Sequence, residues 1–305
     1  MSRHIRLIAL CAGLLASAGC SNERRLPTDP TPPGGSGPTV PVPPEPPSEL
    51  QRLAALALFD AASVHAGMTT SPLTWATTVE GQVWTDGPCD GFDGEGALRG
   101  SIDGGLSPTS GTFLPTGSHT YVVAFSKCLV DGWSTELNGV ASAAYNASDW
   151  SNVTATVSAD SMRGRGLAVL SRLNDATADG SAIWTRVGSS TVTTTYTPAP
   201  GSRLVNNSTT NVATFAGGSY SEIQHPPLQG TSFSRDQRFD ILKVAVNGTE
   251  YTLNGSLNIQ RVVGSQLTHT GEVRITTIDG TLVARIYGDV RNALTVEVLA
   301  PLVPF

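Results

Sequence analysis

Lysine is nearly absent from this chain. Its 305 residues carry 19 basic side chains, of which only Lys127 and Lys243 are lysine, against 25 acidic ones, for a formal net charge of −6. A surface so short of positive charge does not neutralise a phosphate backbone, which argues against a nucleic-acid partner. Charge of either sign is scarce at 14%, and aromatics make up only 6%. Recognisable catalytic signatures are missing too: there is no H-E-x-x-H, no G-x-x-x-x-G-K-[ST], no G-x-S-x-G and no S-x-x-K, and Gly94-x-Gly96 is only a fragment of a dinucleotide loop. What fills the chain is 32 Gly, 30 Ser and 35 Thr, about a third of the residues. That mixture suits short strands and turns rather than long helices.

The first twenty residues, MSRHIRLIALCAGLLASAGC, have a positive start at Arg3 and Arg6, an apolar run from Ile5 to Leu15 and a small-residue zone ending at Gly19. The run is too short to span a bilayer. The segment resembles a bacterial lipoprotein signal peptide, with Ser17 where that family most often has Leu. The resemblance implies removal of residues 1–19, lipidation of the Cys20 thiol and attachment to a membrane through that anchor. Ser21, in place of the Asp that favours inner-membrane retention, implies outer-membrane delivery, facing the periplasm or the cell surface. The same residues also read as an ordinary secretory leader cut after Ala18. Residues 20–47 follow as a tether: ten of the 20 prolines lie between Pro27 and Pro47, around Gly34-Gly35-Ser36-Gly37. Such a stretch cannot bury enough apolar surface to order itself, and its proline-rich ends favour extended polyproline II.

Residues 48–305 are expected to form one β domain. It opens with a helix over 49–66: Ser48 and Gln51 fit a capping box, Leu50, Leu53, Ala54, Ala57, Leu58 and Ala61 recur at helical spacing, and Gly67 stands at the stop. An isolated amphipathic helix before a β-rich chain would pack on a sheet or plug one end of a barrel, leaving His65 as a surface residue near its end. After Ser71 the apolar period becomes two, most clearly at Tyr251, Leu253, Leu257 and Ile259 against Thr252, Asn254, Ser256, Asn258 and Gln260. That is a strand with one wet face, hence antiparallel. Asp279-Gly280 reads as a two-residue hairpin turn. At an offset of 116, Phe125–Gly139 aligns without a gap to Ile241–Gly255 with six identities in fifteen, pairing Lys127 with Lys243 and Asp131-Gly132 with Asn247-Gly248. The fold class is therefore mainly β: an antiparallel meander (curved sheet, open barrel or sandwich) with two related β-units, about 70–189 and 190–305, and one N-terminal helix.

Cys89 and Cys128, the only cysteines in the folded part of an exported chain, are expected to form one disulfide. Asp86, Asp90, Asp93 and Glu95 crowd a glycine-rich stretch, which reads as ordinary turns or as an oxygen-ligand site for Ca²⁺, the one cofactor in view; the spacing does not match an EF-hand loop. Trp84 and Trp133, beside Gly-containing turns, read as core residues or as a flat platform for a ligand. The function in keeping with these features is an envelope-anchored lipoprotein acting as a non-enzymatic binding or structural module, with a glycan, a lipid or an envelope protein as partner. The alternatives are a lipid carrier with an apolar cavity and a periplasmic hydrolase.

Overall fold

The computed structural model describes residues 48–73, 87–92, 94–102, 116–130, 135–167, 173–226, 231–262, 267–291 and 293–305. Residues 1–47, with the expected leader 1–19 and the expected tether 20–47, lie outside the described residues. Helix α1 spans Glu49–Thr69, with the Ser48 hydroxyl accepting from the Gln51 N–H at 3.4 Å as N-cap. It runs through Gly67 and ends only at Thr70, whose N–H bonds to the Ala66 carbonyl. Tertiary burial explains the extension, because Met68 and Thr69, beyond the expected stop, are both fully packed away. Every residue from Ala54 to Ala62 is buried. A helix covered on all sides is enclosed rather than laid on a surface, so the expectation of one amphipathic face is corrected.

The enclosing element is a single antiparallel sheet. Its first half comprises β1 (Gly87–Gly91), β2 (Gly94–Ile102), β3 (Gly117–Val130), β4 (Thr135–Asp149), β5 (Asn152–Arg165), β6 (Asp175–Val187) and β7 (Val192–Pro198). Its second half comprises β8 (Arg203–Asn206), β9 (Val212–Gln224), β10 (Thr231–Val246), β11 (Thr249–Val262), β12 (Leu267–Thr277), β13 (Leu282–Gly288) and β14 (Leu294–Val298). The order across the sheet follows the chain, as a meander requires. The one irregularity is that β7 and β8 share a single place, both pairing with β6 and β9. β1 and β14 are its two edges, so the sheet curls round the helix as an open barrel.

A line of backbone kinks makes the curl possible. On β3 and β4, Phe125 pairs with Gly139 and Cys128 with Leu137, leaving Ser126 and Lys127 bulged out, with Lys127 at φ 53 and Gly139 at φ +131. The same device recurs on β5 and β6 with Ser161 at φ 49 and Gly180 at φ +110, and on β10 and β11 with Ile241 at φ 46 and Gly255 at φ +124. Bulges bend their strand and increase its twist. Neighbouring kinks are in register, and the break between β7 and β8 falls on the same line, where Ser202 packs so close to Gly180 that a Cβ there would lie 2.5 Å from its Oγ.

This register revises the offset-116 alignment. Lys127 occupies the place of Ile241 rather than that of Lys243, because each is the second residue of its bulge. The Asn247-Gly248 turn is a two-residue hairpin with both residues at positive φ (47 and 89), the type I′ geometry. Its expected counterpart at Asp131-Gly132 lies outside the described residues. The Asp279-Gly280 turn is longer than expected: Thr277 N–H bonds to Thr281 O, Gly280 N–H to Thr277 O, and Gly280 takes φ +85, which makes a three-residue loop.

Small and large side chains divide the interior. Ala141, Ala143, Ala155, Ala159, Ala176 and Ala178 on β4–β6 let the alanine-rich helix approach closely, and Phe215, Phe239, Leu253, Leu257, Val273 and Ile275 fill the wider far side. Phe59 of the helix meets Phe239 at a 5.0 Å centroid distance. Burial of each large apolar side chain stabilises the fold by about 1.5–3 kcal/mol. The chain's last residues close the end at which the helix begins. Gln51 donates to the Leu302 carbonyl at 3.1 Å and accepts from its N–H at 2.6 Å, Tyr251 Oη accepts from Val303 N–H, and Phe305 is buried. The Gln51 side chain thus serves the tail instead of completing the capping box.

Candidate functional site

Beyond the last turns of α1 the inner face of the sheet continues, and among the described residues no helix covers it. In an antiparallel sheet directly paired residues share a face. Trp184 pairs with Tyr196, Tyr196 with Tyr220 and Tyr220 with Phe239, so four strands (β6, β7, β9 and β10) contribute one unbroken aromatic row. Two residues along each strand lies a polar row on the same face: Arg186, Thr194, Glu222 and Gln237. Gln224 follows on β9, paired with both Val192 and Arg235. The helix end supplies the opposite wall through Ser63, Ala66, Gly67 and Thr70. Together they enclose a cleft of about 390 Å³, within the size range of small-ligand sites.

The floor of this cleft is held rigidly. Tyr220 Oη donates to Glu222 Oε1 at 2.5 Å and accepts from Gln237 Nε2 at 2.9 Å. Burial, reinforced by the adjacent Glu222 charge, holds the Tyr220 phenol well above its usual pKa. Arg235 reaches Glu222 at 3.8 Å. Under Tyr196 lies a second network. His65 Nε2 faces the Asp179 carbonyl at 3.0 Å and therefore donates to it, leaving Nδ1 to accept from Tyr196 Oη at 2.5 Å. Thr69 Oγ1 lies 3.0 Å from the same phenol oxygen. Burial pushes the imidazole down to about 4 and the Tyr196 phenol up, so His65 is neutral and fixed in one tautomer.

His65 is thus wholly buried, contrary to the expectation of a surface residue. It presents no base to the cleft, since both ring nitrogens are engaged and it lies beneath the aromatic floor. Arg186 is the reverse case. It is half-buried, and among the described residues its guanidinium makes no hydrogen bond and no ion pair. Desolvation lowers its pKa while the more distant Asp149 raises it, and an arginine remains charged throughout. The Trp184 indole N–H, two residues away on the same face, likewise has no hydrogen-bond partner among the described residues.

The residues singled out from sequence are placed elsewhere. Cys128 is buried on β3 and disulfide-bonded; Cys89 is on β1, opposite Gly96 of β2, and its side chain lies outside those described. Asp90 pairs with Glu95 in the β1–β2 hairpin, whereas Asp86 and Asp93, with the side chains of Asp90 and Glu95, lie outside the described residues. Among the described residues no three His, Cys, Asp or Glu gather as a metal site. Beside this hairpin, the buried Glu136 carboxylate accepts from Phe92 N–H at 2.7 Å and pairs with Arg165 at 3.2 Å. Trp84 and Trp133 lie outside the described residues, as does Cys20. Among the described residues no helix is long and apolar enough to cross a membrane.

Comparison with known protein families, with curated proteins and with solved structures finds no match to this chain. Trp184, like the other tryptophans, reads from sequence as a core residue or a ligand platform, but strand register alone brings positions 184, 196, 220 and 239 together. A signal was nevertheless present: inward positions of β6, β7 and β9 turn from Trp184, Tyr196 and Tyr220 to Arg186, Thr194 and Glu222, where a core strand would stay apolar.

Proposed function

We propose that this chain is an envelope-anchored lipoprotein acting as a non-enzymatic binding module. Its leader delivers it to the outer membrane, Cys20 carries the lipid, and residues 21–47 space the folded part from the bilayer. The open end of the curled sheet is where it meets a small ligand. The observation that carries this reading is the polar row Arg186–Thr194–Glu222 lying above an aromatic floor at a mouth lined by described residues of β6, β7, β9 and the helix end. An interior occupied by α1 and core side chains favours binding at the mouth over lipid carriage within the sheet, and the engagement of His65 favours binding over hydrolysis. The disulfide of Cys128 is assigned to Cys89 on the same reading.

Two measurements test it. Labelling the whole chain with a palmitate analogue in a bacterial host should mark the wild type in the membrane fraction and leave Cys20→Ser unlabelled and soluble; an unlabelled, soluble wild type overturns the anchor. Titrating neutral and acidic saccharides against the whole chain should raise its melting temperature with the saccharide recovered intact. Release of a product would overturn the non-enzymatic assignment.

A further inference from the structure

Resting on the cleft as the binding site, we propose that Arg186 is an anion anchor and that the ligand is a hydroxylated ring compound bearing a single carboxylate, of the uronic-acid kind. Arg186 and Trp184 offer donors from one face of β6 that no described residue uses. Donors that reach the solvent of a recess and are used by no described residue are available to an acceptor there, and a guanidinium pairs best with a planar oxyanion through two parallel hydrogen bonds. One arginine facing a cleft that also contains Glu222 leaves little net positive charge. Such a site suits a monoanion and disfavours a phosphate dianion, which Glu222 repels.

The remaining surroundings select the rest of the molecule. Thr194, paired directly with Arg186, and beyond it Glu222 and Gln224 offer oxygen and amide groups suited to hydroxyls, while the largely buried Trp184–Tyr196 pair closes the floor with a narrow apolar strip against which the edge of a sugar ring rests. Among the described residues Arg186 makes no hydrogen bond or ion pair, feels only the Asp149 charge at a distance, and its desolvation is a cost that ligand binding would offset.

The test uses the full chain in detergent with three probes, D-glucuronate, D-glucose and inorganic phosphate, followed by calorimetry and tryptophan fluorescence. Glucuronate should bind, glucose at least tenfold more weakly, and phosphate no better than glucose. Arg186→Gln should weaken glucuronate at least tenfold without lowering the melting temperature, Arg186→Lys should recover part of the loss, and Glu222→Gln should improve phosphate. Glucuronate and glucose binding equally, with Arg186→Gln unchanged, would sink the anchor and leave the cleft as a neutral-sugar site. Phosphate binding as tightly as glucuronate would also sink it, in favour of a simple charge trap. Failure of all three probes on the wild type overturns the proposal, while the envelope reading is judged separately by labelling at Cys20.

Discussion

Acidification from pH 7 to pH 4 should weaken the fold through one residue. His65 sits at 0% exposure, donating to the Asp179 carbonyl and accepting from Tyr196. Desolvation holds its pKa at about 4 in the folded chain, against 6.5 when unfolded. The folded value is depressed, so the neutral form is the one that folding favours. Its contribution is complete above pH 6.5 and is lost as pH falls towards 4, because the unfolded chain takes up the proton first. Linkage puts the loss at about 2 kcal/mol by pH 5 and about 3 kcal/mol by pH 4. The Asp179 carboxylate, the nearest charge, is already engaged by Arg203 at 3.2 Å and by Ser161 N–H at 2.7 Å. The lowered carboxyl of Asp175, held by Arg163, begins to add its own loss only as pH falls into the normal Asp range, at the lower edge of this window. The assay is urea unfolding of the wild type and of His65→Gln at pH 7, 6, 5 and 4.5. At pH 7 the variant should be less stable by about 2–4 kcal/mol, since the Tyr196 hydroxyl and the Asp179 carbonyl lose a buried partner. That gap should narrow by about 2 kcal/mol at pH 5. A gap of equal size at both pH values would refute the reasoning. Should the variant not fold, Tyr196→Phe provides a second reading, because it retains the buried imidazole and hence most of the pH slope.

Three further outcomes are expected. Gly180→Ala should destabilise by about 2–4 kcal/mol in thermal melts, since its φ of +110 is strained for a side chain and the new Cβ would press against Ser202 backbone and side chain at 2.5–2.7 Å; a neutral result would show that the kink is not fixed. Gln51→Ala should cost about 1–3 kcal/mol and speed hydrogen exchange at the Leu302 and Val303 amides, because both hydrogen bonds to Leu302 disappear; unchanged exchange would mean that the tail is held by other contacts. Cys128→Ala and Cys89→Ala should each cost about 2–5 kcal/mol, and the double variant no more than either alone, if the two share one bond; additive losses would argue for separate roles.

The sheet and the helix could be read from local pattern because each has a period of its own. Tyr251, Leu253, Leu257 and Ile259 alternate towards the core as their spacing predicts, with Gly255 between them brought within contact of the Glu272 backbone. Asn247-Gly248 carries its turn chemistry in two letters. His65 was misjudged for the opposite reason. Nothing near it in sequence tells that Asp179 and Tyr196, 114 and 131 residues away, arrive to satisfy both ring nitrogens. Gly139 and Gly255, set inside alternating strands, are the letters that mark a bulge or bend, but the bulged residues Lys127, Ser161 and Ile241 are unlike one another, and only register shows each lying across from a glycine at positive φ. The cleft depends on both: register assembles its rows, and the curl turns them into a recess.

The helix also sets a direction. Over 21 residues at 1.5 Å each it covers about 31 Å. Ser48, where the chain enters the fold, lies at the end sealed by Leu302 to Phe305, and Ser63 to Thr70 lie at the mouth. Any pull transmitted along residues ahead of Ser48 is therefore taken up first by the helix cap and the Gln51–Leu302 clasp, a helix length from the recess. On the proposed anchoring through Cys20, the mouth lies at the end of the helix remote from the attachment, and a load on the proposed tether is borne away from the recess.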